Sequence, residues 1–222
     1  MAAPSPPLAL FHTADSNRAL FAGLLDRLAP GTAAVHAVGA DLLARAAAAG
    51  ALTDDLRRDA ARRMAEVARD AGARVLLCTC STLGPAAEEA GFLRVDRPMA
   101  ERALDLADAG GGRVAVAACL ASTLAPTLDL LAAVARERDS TAVLTTHLLA
   151  DAWAHFEAGD LPAYWNAVAT GVRGIAAGAD AVVLAQASMA GAADLCRDLA
   201  APVLASPELG LAAALAALDT PS

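Results

Sequence analysis

Short, unbroken apolar runs recur along the 222-residue chain, and longer stretches with helically spaced apolar positions separate them. The runs are "LALFH" from Leu8, "AAVHAV" from Ala33, "RVLLCT" from Arg74, "FLRVD" from Phe92, "RVAVAA" from Arg113, "TAVLTTH" from Thr141, "AVVLAQ" from Ala181 and "PVLAS" from Pro202. Runs without alternation are expected of parallel strands covered on both faces. The stretches between them predict amphipathic helices; in "TDDLRRDAARRMAEVARDAG", Thr53 is the predicted N-cap. Strand and helix signals that alternate in this way predict an α/β class.

The pattern is written twice. An offset of 106, taking Cys80 to Gln186, sets Leu8 on Val114, Ser16 on Ser122, "DLLA" (41–44) on "HLLA" (147–150) and Asp54 on Asp160. A further shift of three sets "VDRP" (95–98) on "LASP" (204–207). Alanine makes chance identities common, so the continuous register of strands and helices carries the argument. We expect two pseudo-symmetric α/β halves, each a mostly parallel sheet flanked by helices, with a site in the cleft between them. The expected ranges are 1–110, with 203–222 packing back onto that half, and 111–202. The glycine run Gly110–Gly112 precedes a strand, whereas a phosphate-binding loop would follow one, so it reads as a linker.

Composition narrows the function classes. The chain is 57% hydrophobic and 19% charged, enough to bury a core. Its net charge of −8 and 3% aromatic content argue against nucleic acid and anionic membranes as partners. No lysine is present, which removes Schiff-base chemistry, covalently held pyridoxal phosphate and a Walker-type lysine. A glycine fingerprint for nucleotides is missing too. No signal peptide or membrane-length apolar run is read. Cys78, Cys80, Cys119 and Cys196 form neither a secreted disulfide framework nor a zinc pattern, so a reduced, cytoplasmic, metal-free protein is expected.

In parallel α/β sheets, ligands meet the loops at the carboxyl ends of the strands. The repeat puts Ser16, Asn17, Asp41, Cys80, Ser81 and Thr82 there in the first half. In the second half it puts Ser122, Thr123, His147, Gln186, Ala187 and Ser188 there. Short hydroxyl and amide donors at helix starts suit a small carboxylate, although Ser16, Thr82 and Ser122 are equally suited to capping. At a strand-to-helix turn, Cys80 can act as a thiolate. Cys78, Cys119 and Cys196 read as core residues, and His147, ahead of His12, is the candidate second acid–base group.

With these residues in view, the chain resembles the aspartate/glutamate/hydantoin racemase superfamily over nearly its whole length. "CST" (80–82) resembles the first catalytic motif, "VLAQASMAG" (183–191) the second, and "ASTLAPT" (121–127) the threonine-rich turn that opens the second half. The resemblance implies an enzyme without a cofactor, in which two cysteines exchange the proton of a substrate α-carbon from opposite faces. Cys80 maps onto the first cysteine and Gln186 onto the second, so one thiol is missing. Arylmalonate decarboxylase, similar to the racemases, keeps a single cysteine at the other site. The expectation is therefore a racemase or isomerase acting on a small carboxylate. A single-cysteine decarboxylase, a cis–trans isomerase and a non-catalytic carboxylate-binding protein are the alternatives. Assembly of identical chains is compatible with all of them.

Overall fold

The structure, a computed structural model, describes residues 7–220, with Ser122 described by its backbone alone. The chain runs β1 (Leu8–His12), α1 (Asp15–Leu28), β2 (Ala34–Val38), α2 (Ala40–Ala49), α3 (Asp54–Ala71), β3 (Val75–Cys78), α4 (Gly84–Glu89), β4 (Leu93–Arg94) and α5 (Arg97–Ala109). It continues with β5 (Arg113–Ala118), α6 (Leu124–Glu137), β6 (Val143–Leu148), α7 (Trp153–Glu157), α8 (Leu161–Ile175), β7 (Ala181–Leu184), α9 (Ala190–Asp194), β8 (Val203–Ala205) and α10 (Ser206–Asp219). Each of the eight apolar runs holds a strand, β6 alone extending one residue beyond its run. They form two parallel four-stranded sheets, ordered β2-β1-β3-β4 and β6-β5-β7-β8.

The chain divides into two compact units, residues 1–96 with 207–222, and residues 97–206. In the first unit, Ala9, Phe11, Leu76 and Cys78 pack against Leu42, Leu56, Ala60 and Met64 of α2 and α3. On the sheet's other face, Leu8, Leu10 and Leu77 pack against Phe21 and Leu25 of α1 and against Leu211 and Ala214 of α10. Arg27 bonds Glu208 at 2.8 Å and Arg74 donates to the Leu218 carbonyl at 3.0 Å, which ties both ends of α10 to this unit. In the second unit, Ala115, Ala117, Val182 and Leu184 pack on Tyr164, Val168 and Val172 of α8. There α5 packs on β5 and β7, and α6 on β5.

Each unit is thus completed by a helix that follows the other unit's last strand, since α5 comes after β4 and α10 after β8. The division falls at Asp96/Arg97, ahead of the glycine run expected to be a linker. Gly110–Gly112 instead turns the chain from α5 into β5 within the second unit. The Asp180 carboxylate holds that turn by accepting from the N–H groups of Gly111 (2.8 Å) and Arg113 (2.7 Å). A β-carbon at Gly110 would lie 2.2 Å from Asp180 Oδ1, so a side chain there would collide with the carboxylate.

Local signals behave as their chemistry dictates. Thr53 caps α3 by accepting from the Leu56 N–H, and Asp160 caps α8 by accepting from that of Ala163. One expectation fails. Strand β6 was expected to be covered on both faces, yet Val143 and Leu148 are 59% and 50% exposed. It pairs only with β5 and lies at the sheet edge, so its apolar run does not report burial.

Candidate functional site

Cys80 lies two residues beyond β3 and opens a 3-10 turn, Ser81–Leu83, that leads into α4. Its backbone is extended (φ −121°, ψ 116°), and its carbonyl accepts from the Leu83 N–H at 3.2 Å. The residue is 8% exposed and packs with Cys78, Leu83 and Phe11 on the face shared with α2 and α3. Cys78 is fully buried and its thiol bonds the Cys80 carbonyl at 3.6 Å. Burial, and then the nearby Cys80, push the Cys78 thiol far above its ordinary range. It remains a thiol at neutral pH.

The turn is braced from β4. Arg94 makes a bidentate pair with Asp96 (2.7 and 3.0 Å) and a third bond to Glu88 (3.0 Å). The Arg94 and Asp96 side chains are 5% and 2% exposed. Gly84 makes room for this guanidinium, because a β-carbon there would lie 2.5 Å from its central carbon.

On the opposite face of the first sheet runs a chain of polar groups. Thr79 Oγ1 donates to the Phe11 carbonyl (3.2 Å), so its contact with His12 Nδ1 (2.8 Å) requires the proton on that nitrogen. His12 Nε2 is then bare and accepts from His36 Nδ1 at 2.9 Å. This order leaves His36 Nε2 as an acceptor. Burial, then His36 and Arg18, lower the pKa of fully buried His12 to about 4; burial also lowers that of His36.

In the second unit Gln186 has the backbone of Cys80 (φ −124°, ψ 135°) and opens the equivalent 3-10 turn, Ala187–Met189. Its Oε1 accepts from two consecutive backbone N–H groups beyond β5, Cys119 at 2.7 Å and Leu120 at 3.2 Å. Ser188 shares a 3.1 Å hydrogen bond with the Tyr164 hydroxyl, and burial pushes that phenol far above its usual value. Thr123 donates to the Leu120 carbonyl at 2.8 Å, so its hydroxyl proton is committed within its own turn. Cys119, read as a core residue, is indeed buried, but it sits one residue beyond β5 and beside Gln186; burial raises its pKa. Cys196 is buried in the α8–α9 region with its thiol toward the Ala169 carbonyl.

The other predicted residues separate. Ser16 and Asn17 lie in the first turn of α1, Ser16 exposed and Asn17 half-buried, and Ser81, Thr82 and Ala187 are half-buried in the two turns. Ser122 lies in the turn Ala121–Thr123, and its side chain is outside the described residues. Asp41 is exposed in the first turn of α2 and pairs with Arg63 at 2.6 Å.

The expected match of Asp41 with His147 does not hold. Val38 pairs with His12, and Leu148 with Ala118, so strand pairing relates β2 to β6 by an offset of 110. His147 therefore corresponds to Ala37, inside the strand. Its Nε2 meets Thr145 Oγ1 at 3.2 Å. His36, Thr79, Arg94, Asp96 and Tyr164 were not singled out from the sequence. His12 was named as the acid–base candidate behind His147, but nothing local linked it to His36 or Thr79. Among the described residues, no cluster of three or more His, Cys, Asp or Glu is arranged to hold a metal, and no helix is long and apolar enough to cross a membrane.

No protein-family model matches the chain, and no curated protein matches it in sequence. Solved structures do. A Yersinia pestis protein provisionally assigned as an Asp/Glu racemase superposes with a TM-score of 0.65, over 96% of this chain and 99% of its own, at 14% identity. A glutamate racemase isoform from Bacillus anthracis gives 0.66, over 95% of this chain and 80% of its own, at 13% identity. The fold is that of the Asp/Glu racemases. Within the Asp/Glu racemase fold, Cys80 and Gln186 occupy equivalent turns at the carboxyl ends of β3 and β7.

Proposed function

We propose that the protein is a racemase-like isomerase that moves the α-proton of a small carboxylate, with Cys80 as the proton-transfer group. The observation that carries this reading is the position of Cys80: a thiol at the carboxyl end of a parallel strand, on a braced turn, within the Asp/Glu racemase fold. The Cys80 thiolate takes the proton from the α-carbon, and the electron pair passes into the carboxylate to give an enediolate. Hydroxyl and N–H groups of the neighbouring turns hold its oxygens. Return of a proton by the same thiol gives exchange with retention, and inversion requires an acid on the opposite face. No residue of this sequence calls for a cofactor in that cycle.

Gln186 favours a one-sided version. A carboxamide carries no proton that exchanges usefully near neutral pH, and its oxygen is held by two backbone N–H groups. Delivery to one face alone suits decarboxylation or stereospecific isomerisation. Proton NMR of amino, hydroxy and malonic acids in deuterium oxide reads α-exchange and loss of carbon dioxide together. We expect turnover that Cys80→Ala abolishes and Cys196→Ala leaves intact, with deuterium entering with a single handedness. Undiminished turnover in folded Cys80→Ala would end the assignment. Equal conversion of both enantiomers would end the one-sided version.

A further inference from the structure

We propose that Gln186 is a carboxylate-binding residue that the fold splits into two roles, its oxygen serving the protein and its amide nitrogen serving the ligand. The inference rests on the small-carboxylate reading above and assigns one of its contacts.

Two backbone N–H groups converge on one side-chain atom, and only an oxygen can accept from both. That settles which way the amide faces. The contacts at 2.7 and 3.2 Å also tether that oxygen, because N–H groups on consecutive residues grip the same atom. The other end is a different matter. Among the described residues the Gln186 nitrogen bonds no protein acceptor. Nor is it sealed in: the one buried side-chain nitrogen or oxygen left without a partner among the described residues is Arg57 Nε. The result is an incompletely buried N–H2 group, on a half-buried residue at the carboxyl end of β7, on the turn equivalent to the one carrying Cys80. A pre-oriented donor loses little freedom on binding.

The surroundings select what it donates to. The group offers hydrogens and no lone pair, so its complement is an acceptor. Ser188, two residues on, bonds a Tyr164 phenol that burial keeps protonated, so this pair adds no negative charge against an anion. A neutral amide holding a carboxylate oxygen also leaves proton transfer to another group.

The test uses the one glutamine in the chain. Selective 15N labelling of the glutamine amide gives a single pair of side-chain NH2 resonances, those of Gln186. Malonate and L-aspartate, titrated into wild-type protein at millimolar concentration, should move this pair along a saturable curve. Gln186→Glu provides a second reading. One carboxylate oxygen can still accept from Cys119 and Leu120, so the turn keeps its partner, while the other repels an anionic ligand. Malonate affinity should fall by about tenfold or more, the worth of a charged hydrogen bond. Resonances that neither acid moves would overturn the inference, as would folded Gln186→Glu that binds malonate as tightly as wild type. If the variant does not fold, the wild-type titration alone decides. Acids that shift Gln186 with neither α-proton exchange nor loss of carbon dioxide would leave this inference standing and remove the Cys80 reading. Exchange with an unmoved Gln186 would do the reverse.

Discussion

His12 shows how a single residue can couple folding to pH. Buried between Thr79 and His36, it is neutral in the folded protein down to about pH 4, whereas an unfolded histidine takes a proton near 6.5. Between these values the unfolded chain binds a proton that the native chain refuses. Stability is therefore full above about pH 6.5 and declines as pH falls toward 4. Denaturant melts across that window should show the decline, and His12→Gln should flatten it, with the residual slope from His36. An unchanged slope would mean that the histidine pair is not what titrates. The same scale marks a limit of sequence reading. Gln186 stands out as the lone glutamine, yet its bond to the N–H groups of Cys119 and Leu120 spans residues far apart in the chain.

The turn that carries Cys80 depends on elements outside it. The Arg94 guanidinium, locked to Asp96 and Glu88, lies across Gly84 with no space for a methyl group. The φ of Gly84 is −51°, so the restriction is steric rather than conformational. Gly84→Ala should displace a buried, paired cation and cost about 1–3 kcal/mol, the range for overpacking a core. Chemical denaturation measures this, and a neutral substitution would show that the guanidinium moves aside freely. Element boundaries were readable where chemistry is local, as at Thr53. The apolar run of β6 misled because the same residues suit a central strand and an edge strand. Burial belongs to the neighbours a strand acquires, and among the described strands β6 pairs with β5 alone.

Across the whole chain, the exchange of α5 and α10 makes each unit depend on residues distant in sequence. Leu211 follows β8 but is buried among Leu8, Leu10 and Phe21. Leu211→Ala should destabilise the protein by about 2–5 kcal/mol. Loss of amide-exchange protection should appear in β1 and α1 rather than in β5. Protection lost first from β7 and β8 would contradict the assignment of α10.

The sequence by itself determined the strands, their parallel class, the twofold repeat and the equivalence of Cys80 with Gln186, because each is written in local periodicity or in the offset of 106 that β1 and β3 share with β5 and β7. The tertiary structure alone decided the rest. It set the four-residue slip that removes His147 from its expected place, assigned α5 and α10 to their units, joined His12 to Thr79 and His36, and braced the Cys80 turn with Arg94. These outcomes depend on hydrogen bonds and packing between segments far apart in the chain, and a single sequence records such contacts only after the fold has brought their residues together.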